Sequence, residues 1–200
     1  DCVNHNILLH KLSHYGIRGT TLNWFRSYLS DRNQFVSINN NHSHIKPISH
    51  GVPQGSSLGP LLFILYINDL PNATKMGEMR LFADDTNHFI RNKVCSALQV
   101  QAEEQFGNII KWMNANYLTV NYSKTYFTIF SPNCRNDRLK HFNHLNGNTN
   151  QITKVEKIKF LGIIIDEQLT WKDHIQYVID RLKNYLVFST KYAIKFLLRV

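Results

Sequence analysis

Two adjacent aspartates, Asp84 and Asp85, lie inside the otherwise apolar stretch "LFADDTNHF". Neighbouring carboxylates repel each other and lose solvation free energy when they are buried, so a strand that only builds a core would not contain them. A tight turn is one explanation, because aspartate favours turns and a turn leaves both carboxylates in water. A metal site is another, since two hard cations about 4 Å apart can be held by carboxylate oxygens and stabilise phosphoryl transfer. The pair taken alone favours the turn.

A glycine-rich segment, "GVPQGSSLGPLLFILYINDLP" at residues 51–71, shortly precedes the two aspartates. Its glycines allow the backbone to approach a ligand closely. Gln54, Ser56 and Ser57 add uncharged hydrogen-bonding groups, and the first N–H groups of the helix predicted to follow favour phosphate. A glycine-rich loop by itself is a weak signal. This long segment just before paired aspartates strongly favours the metal explanation.

The chain is basic, with 23 Lys and Arg against 14 Asp and Glu and a formal charge of +9. This balance suits a polyanionic partner, most simply nucleic acid and secondly an anionic membrane surface. The odd number and wide spacing of Cys2, Cys95 and Cys134 predict reduced thiols rather than disulfides. Cys134, His141 and His144 are the nearest approach to a metal cluster, but they lack a fourth ligand, so we interpret them as surface residues.

The chain opens without a signal peptide. Its most apolar run, residues 58–70, is shorter than the roughly 20 residues that span a bilayer. These observations predict an intracellular protein of the cytoplasm, the nucleus or both, neither secreted nor bound to a membrane. The first residue is not Met, and the last segment stops while still apolar and periodic. We therefore expect a fragment.

Helical and strand-like patterns alternate along the chain and predict an α+β fold. Helices are expected at Ile7–Tyr15 closed by Gly16, at 20–30 capped by Thr20 or Thr21, at 57–69, at 94–115 and from Trp171 almost to the end. We expect a hairpin formed by "QFVSINN" and "IKPISHGV" with a polar "NNHSH" turn between them. Further strands are expected as a pair hinged near the aspartates, in "KTYFTIFS" and in "VEKIKFLGIIID". Residues 132–151 read as a polar loop or a weak hairpin.

The motifs and their order resemble the reverse transcriptase domain of non-LTR (LINE-type) retrotransposons nearly end to end. "NILLHKLSHYGIRG" resembles the helix after the first catalytic motif, "GVPQGSSLGPLLF" the loop that contacts template and nucleotide, and "FADD" the catalytic aspartate hairpin. "LTVNYSKT", "KFLGIIID" and "LTWKDHI" resemble, in turn, the following lysine motif, the strand pair that grips the primer and the entry into the thumb.

The resemblance implies site residues at the matching positions. Asp84 and Asp85 would be the catalytic carboxylates and metal ligands, holding two Mg²⁺ ions or Mn²⁺ in their place. Contacts with the incoming nucleotide, the template and the nucleotide's phosphates would come from Gln54, Gly55, Ser56 and Lys124. The primer grip would comprise Phe160, Leu161 and Gly162. For Lys124 the alternative is a solvated charge before a strand, and for Phe160–Gly162 it is core packing.

The resemblance also implies a right-hand polymerase palm, an antiparallel sheet backed by helices, followed by the start of a helical thumb. We assign residues 1–168 to a partial palm and 169–200 to the thumb. Asp1 matches the second, structural aspartate of the first catalytic motif, so we expect the metal-binding aspartate of that motif and the fingers region to lie outside this chain. The isolated chain is therefore expected to have little or no polymerase activity.

The expected activity is RNA-templated DNA synthesis, with an RNA template, a DNA primer and dNTPs as partners. One alternative is a catalytically dead relic of such an element that only binds nucleic acid. Another is a reverse transcriptase of the intron-maturase type, which has a similar palm. Oligomeric state is not predicted by any of these motifs.

Overall fold

The computed structural model describes residues 2–130, 142–146 and 151–197 of the chain. It divides into two compact units, Asp1–Asn121 and Tyr122–Val200. The predicted boundary between palm and thumb at 168/169 concerns functional subdomains and stays a prediction. Cys134 and His141 lie outside the described residues, whereas His144 lies on a strand of the second unit.

The first unit contains four α-helices and two antiparallel hairpins. Its helices are α1 (His5–His14), α2 (Gly19–Leu29), α3 (Leu58–Ile67) and α4 (Cys95–Ala115), with a short 3₁₀ helix at Leu70–Ala73. Its strands are β1 (Asn33–Gln34), β2 (Ser37–Ile38), β3 (Asn41–His42), β4 (Lys46–Pro47), β5 (Glu78–Phe82) and β6 (Asp85–Phe89). This mixture of helices and small sheets is α+β, as predicted.

Apolar side chains from α1, α2 and α3 form the core of the first unit. The buried residues of this core cluster are Val3, Leu8, Leu12, Leu29, Leu62, Tyr66 and Ile67. Burial of each large apolar side chain contributes about 1.5–3 kcal/mol. Leu81 of β5 and Trp112 of α4 pack against the cluster from outside. The core therefore joins α3 and the hairpin of β5 and β6 to one hydrophobic cluster.

A polar contact inside this unit links α1 to the end of α3 and to α4. Lys11 Nζ donates to the carboxylate of Asp69 at 2.5 Å and to the Tyr66 carbonyl at 2.6 Å. The indole N–H of Trp112 donates to the other Asp69 oxygen at 3.3 Å, and Lys11 Nζ lies 4.5 Å from the Trp112 ring centroid. Burial lowers the pKa of Lys11, although the hydrogen bond and negative charge of Asp69 oppose this.

The second unit combines a three-stranded sheet, a hairpin and a long helix. Its strands are β7 (Tyr126–Phe127), β8 (His144–Asn146), β9 (Gln151–Lys154), β10 (Lys157–Phe160) and β11 (Ile163–Asp166), and its helix is α5 (Lys172–Leu197). β9 is central, parallel to β7 and antiparallel to β8. Ile129, Phe142, Leu145 and Ile152 are buried in this unit.

Asp166 shapes the turn that leads from β11 into α5. Its carboxylate accepts hydrogen bonds from the backbone N–H groups of Gln168, Thr170 and Trp171 and from the Thr170 hydroxyl. The bond from the Thr170 N–H is the largest cause that lowers the pKa of Asp166. A charged acceptor at this turn thus satisfies N–H groups at the entry to the helix.

Most predicted elements are confirmed, with three corrections. The prediction that Thr20 or Thr21 caps α2 is wrong, because the helix begins at Gly19 and both threonines lie within its first turn; Arg18 precedes it without a side-chain capping bond. The strand predicted in "KTYFTIFS" is only two residues long, since β7 meets β9 at two positions. The hairpin predicted between residues 34 and 52 forms, but its turn lies at Asn39–Asn40 rather than in "NNHSH", because Asn41 and His42 form β3.

Candidate active site

The two aspartates lie at the turn of a regular antiparallel hairpin. β5 and β6 form five cross-strand pairs, from Glu78 opposite Phe89 to Phe82 opposite Asp85. Ala83 and Asp84 form the two-residue turn, and Ala83 has a φ of +50°, as the primed turns that fit twisted hairpins require at this position. Asp84 therefore occupies the tip of the hairpin, and Asp85 begins the returning strand.

The two faces of this hairpin differ in exposure. Residues directly opposite each other in an antiparallel pair point to the same face, so Phe82 and Asp85 share one face while Leu81 and Thr86 share the other. Phe82 is 61% exposed, whereas Leu81 packs on the core cluster. The apolar sequence around the aspartates thus comes from strand alternation, and both carboxylates stay in water.

Neither the Asp84 carboxylate nor the Asp85 carboxylate has a hydrogen-bond or ion-pair partner within the part of the chain that the structure describes. The nearby charged pair, Arg80 with Glu78, is formed within β5 and leaves the aspartates uninvolved. Carboxylate oxygens are the ligands that Mg²⁺ prefers. The pair therefore fits as part of a magnesium ligand set, although no group of three or more His, Cys, Asp or Glu suited to a metal occurs among the described residues.

His88, three residues after Asp85, faces the inner side of the same hairpin opposite Met79. Its Nε2 donates to the Met76 carbonyl at 2.8 Å. Burial lowers the pKa of His88, and the bond to the Met76 carbonyl partly opposes that shift. This histidine connects β6 to the residues that lead into β5.

Gln54, Gly55 and Ser56 lie together in the loop before α3. Gln54 and Gly55 are exposed. Ser56 Oγ donates to the Pro53 carbonyl at 2.6 Å and accepts from the Gly59 N–H at 3.0 Å. The Ser56 hydroxyl is thus engaged in shaping the loop and capping the helix, and its predicted contact with nucleotide stays a prediction.

Gly59 lets this loop fold closely onto the start of α3. A Cβ at this buried position would lie 2.8 Å from the Pro53 carbonyl oxygen and 3.2 Å from Ser56 Oγ. Since real Cβ atoms do not approach backbone oxygens so closely, any larger residue would displace the loop. Packing within the loop therefore explains the glycine at position 59.

The remaining predicted site residues belong to the second unit. Phe160 pairs with Ile163 across the hairpin of β10 and β11, and Leu161 and Gly162 form its two-residue turn with φ values of +46° and +89°. Lys124 is exposed in the turn before β7. Leu161 is 48% exposed, so the tip of this hairpin is a surface feature rather than part of a core.

Sequence reasoning missed the residues that hold the glycine-rich loop in place. His5 Nε2 lies 2.7 Å from the Gly51 carbonyl oxygen across 46 residues of sequence, and the Gly51 N–H donates to the Val3 carbonyl at 2.7 Å. No local pattern could have signalled either contact, because His5 precedes the helix predicted at Ile7–Tyr15 and belongs to no motif. Among the described helices, none has the length and apolarity needed to cross a membrane.

Comparison with known proteins gives a consistent set of relatives. Residues 1–165 match the family model described as reverse transcriptase (RNA-dependent DNA polymerase). The chain is 30% identical over 157 residues to the RNA-directed DNA polymerase from mobile element jockey of Drosophila melanogaster, which covers 75% of this chain and 17% of that protein.

Two further relatives come from the same fly. The probable RNA-directed DNA polymerase from transposon BS is 30% identical over 158 residues, covering 76% of this chain and 17% of the relative. The probable RNA-directed DNA polymerase from transposon X-element is 27% identical over 176 residues, which cover 83% of this chain and 19% of that relative. The chain thus spans less than a fifth of the length of these curated relatives.

Proposed function

The chain belongs to the reverse transcriptase (RNA-dependent DNA polymerase) family, and from this premise we propose that it forms part of the catalytic domain of an RNA-directed DNA polymerase from a non-LTR retrotransposon. The reaction is attack of a primer 3′-hydroxyl on the α-phosphate of a dNTP, with release of pyrophosphate. The observation that carries the proposal is the pair of exposed carboxylates of Asp84 and Asp85, which have no side-chain partner among the described residues, at the tip of a hairpin anchored to the core.

Asp84 and Asp85 would hold the divalent cations of the reaction, Mg²⁺ or in its place Mn²⁺. Bound there, two such ions would neutralise charge on the phosphates and on the attacking and leaving oxygens. Asp84, at the turn, is the main ligand in this proposal, and Asp85 is its companion. The regular cross-strand pairing of β5 and β6 supports the proposal, because it fixes the carboxylates without using their oxygens.

The neighbouring elements have complementary roles in this proposal. Gln54, Gly55 and Ser56 contact the incoming nucleotide and the template from the loop before α3. Ser56 also keeps that loop in shape. Lys124 supplies a positive charge to the nucleotide's phosphates. The turn at Phe160–Gly162 contacts the primer end. RNA template, DNA primer and dNTPs are the partners, and the net charge of +9 supports polyanionic ones.

In the same proposal, residues 1–168 belong to a polymerase palm and residues 169–200 begin a helical thumb. Asp1 matches only the second, structural aspartate of the first catalytic motif, so we propose that the metal-binding aspartate that completes the site lies outside residues 1–200. Residues 1–200 alone are accordingly proposed to have little polymerase activity. We also propose that the protein acts inside the cell, in the cytoplasm, the nucleus or both.

Two alternatives differ in what they predict. A relic that only binds nucleic acid would retain affinity for a primer and template but incorporate no dNTP. An intron-maturase-type enzyme would also extend primers, but the transposon and mobile-element names of the three relatives above favour the retrotransposon assignment.

The experiment is primer extension by the protein encoded in the open reading frame that carries residues 1–200. An RNA template, an annealed DNA primer and labelled dNTPs are incubated with Mg²⁺ or with EDTA. The proposal predicts cation-dependent extension, and it predicts at least a hundredfold less from residues 1–200 alone, about the effect of losing one charge-stabilising contact. If the longer protein binds the primer and template but does not extend the primer, the relic is favoured. If residues 1–200 extend the primer as fast as the longer protein does, the proposal that they lack a metal-binding carboxylate is contradicted.

A further inference from the structure

The chain segment Val3–His5 binds both backbone polar groups of Gly51, the first residue of the glycine-rich loop. The Gly51 N–H donates to the Val3 carbonyl at 2.7 Å, and His5 Nε2 lies 2.7 Å from the Gly51 carbonyl oxygen. Since a carbonyl oxygen only accepts, the imidazole N–H is the donor. Asn4, which lies between Val3 and His5, also forms an isolated antiparallel β-bridge with His50, the residue before Gly51.

These contacts matter because Gly51 is buried. A buried carbonyl without a partner is costly, so the His5 N–H satisfies a group that water cannot easily reach. Gly51 also has a φ of +88°, a conformation that glycine adopts without the strain imposed by a Cβ. Its orientation sets the direction in which the loop leaves the core.

The segment that binds Gly51 is itself well anchored. Val3 is fully buried in the core. The side chain of Asn4 caps α1 by accepting from the Ile7 N–H at 3.1 Å. The hydroxyl of Tyr66 on α3 donates to the Asn116 carbonyl at 2.6 Å and lies 3.4 Å from the Asn4 backbone N–H. A displacement of Gly51 would therefore have to break its contacts with this fixed support.

The far end of the loop is held separately by Ser56, through its bonds to Pro53 and Gly59. Gln54 and Gly55 lie exposed between the two fixed ends. They are also the loop residues proposed to contact nucleotide and template. The orientation of these two residues thus depends on the contacts at Gly51 as well as on the helix cap.

We propose that His5 is a positioning residue for the polymerase reaction: its imidazole N–H fixes the Gly51 carbonyl and so holds Gln54 and Gly55 in the orientation that binds the incoming nucleotide. This inference rests on the proposed function. His5 contacts no reacting group, so it acts through the loop. Glutamine offers an amide N–H donor in place of the imidazole N–H and is the conservative replacement; alanine offers none.

The test compares His5→Ala and His5→Gln with His10→Ala in the protein encoded by the reading frame that carries residues 1–200. His10 is exposed on the same helix and serves as the matched control. Amide hydrogen exchange of residues 51–57 is measured by mass spectrometry. His5→Ala should accelerate that exchange about threefold to tenfold, the loss expected for one hydrogen bond, whereas His5→Gln should restore part of the protection and His10→Ala should change nothing.

Steady-state primer extension provides the second readout. His5→Ala should raise the KM for dNTP about threefold to tenfold with a smaller fall in kcat, and His5→Gln should reverse part of that rise. A purely structural loss of folded protein would lower kcat and leave KM unchanged. KM and exchange values in His5→Ala equal to those of His10→Ala would overturn the inference.

The two readouts separate this inference from the proposed function. If the unmodified protein extends no primer, the proposed function and the nucleotide-binding role of His5 both fail, while exchange still decides whether His5 holds the loop. If the unmodified protein extends primers but His5→Ala behaves like the control, only the role of His5 is refuted.

Discussion

Phe82 and Asp85 face each other as the last cross-strand pair of the β5–β6 hairpin, so the turn that carries Asp84 contains only two residues. Because opposite residues share a face, Asp85 lies with an exposed phenylalanine and away from the core. The repulsion between neighbouring carboxylates is thereby reduced by solvent. The same arrangement leaves their oxygens open to cations.

Ser56 should stabilise the loop and α3 far more than its neighbour Ser57. Ser56→Ala removes both the bond to the Pro53 carbonyl and the helix cap at Gly59, and we expect it to lower the free energy of unfolding by about 1–2 kcal/mol. Ser57 is exposed and makes no capping bond. Ser57→Ala is the matched control, and urea denaturation followed by circular dichroism measures both. Equal effects would show that the Ser56 cap does not stabilise α3.

Lys11 should stabilise the first unit through its contact with Asp69. Lys11→Met keeps much of the apolar stem but leaves Asp69 without its cation. Because the Asp69 side chain is 37% exposed, solvent compensates part of the loss, and we expect a decrease of about 1–3 kcal/mol in the free energy of unfolding.

The matched control for this prediction is Lys111→Met on α4, where the lysine is exposed. Its effect on thermal unfolding should be within about 0.5 kcal/mol of zero. A Lys11→Met protein as stable as this control would mean that the contact between Lys11 and Asp69 makes no net contribution.

His88 should make the stability of the protein sensitive to mild acid. Its pKa is lowered by burial from the ordinary value of 6.5, so the unfolded chain binds this proton before the folded chain does. The neutral form of His88 therefore makes its full contribution to the free energy of unfolding above about pH 6.5. That contribution is lost as the pH falls from 6.5 to the lower pKa that His88 has in the folded protein. Equilibrium unfolding between pH 8 and pH 5 measures this loss.

His88→Gln should reduce the acid-dependent loss of stability, because glutamine can still donate to the Met76 carbonyl but does not titrate. His44→Gln replaces an exposed histidine and should leave the pH profile unchanged. An identical profile for all three proteins would contradict the role of His88 as a half-buried, neutral donor.

Local patterns predicted most elements of this fold. The hairpin around Asp84 was predictable because turn-forming residues interrupt two strand-like runs, and α3 because a continuous apolar run follows a glycine-rich loop. The cap of α2 was misplaced by two or three residues, since Thr20 and Thr21 have the residue type of a cap but Arg18 occupies its position. Residue type constrains a helix end less tightly than the packing of the helix does.

Contacts between distant residues were not predictable from a single sequence. His5 and Gly51 are 46 residues apart, and Lys11 and Asp69 are 58 apart. Each contact depends on how α1 packs beside α3, which no local periodicity specifies. The exposure of both aspartates was part of the turn explanation, and the alternation of strand faces shows why their apolar neighbours do not bury them.

The most direct test of the central claim is the effect of Asp84→Asn on RNA-templated primer extension by the protein encoded in this reading frame. Asp31→Asn replaces another exposed aspartate of the first unit and provides the control. We predict that Asp84→Asn lowers kcat by about a hundredfold to a thousandfold with unchanged thermal stability, and that Asp31→Asn leaves both unchanged. Extension at the unmodified rate by the Asp84→Asn protein would contradict the assignment of this hairpin as the catalytic site.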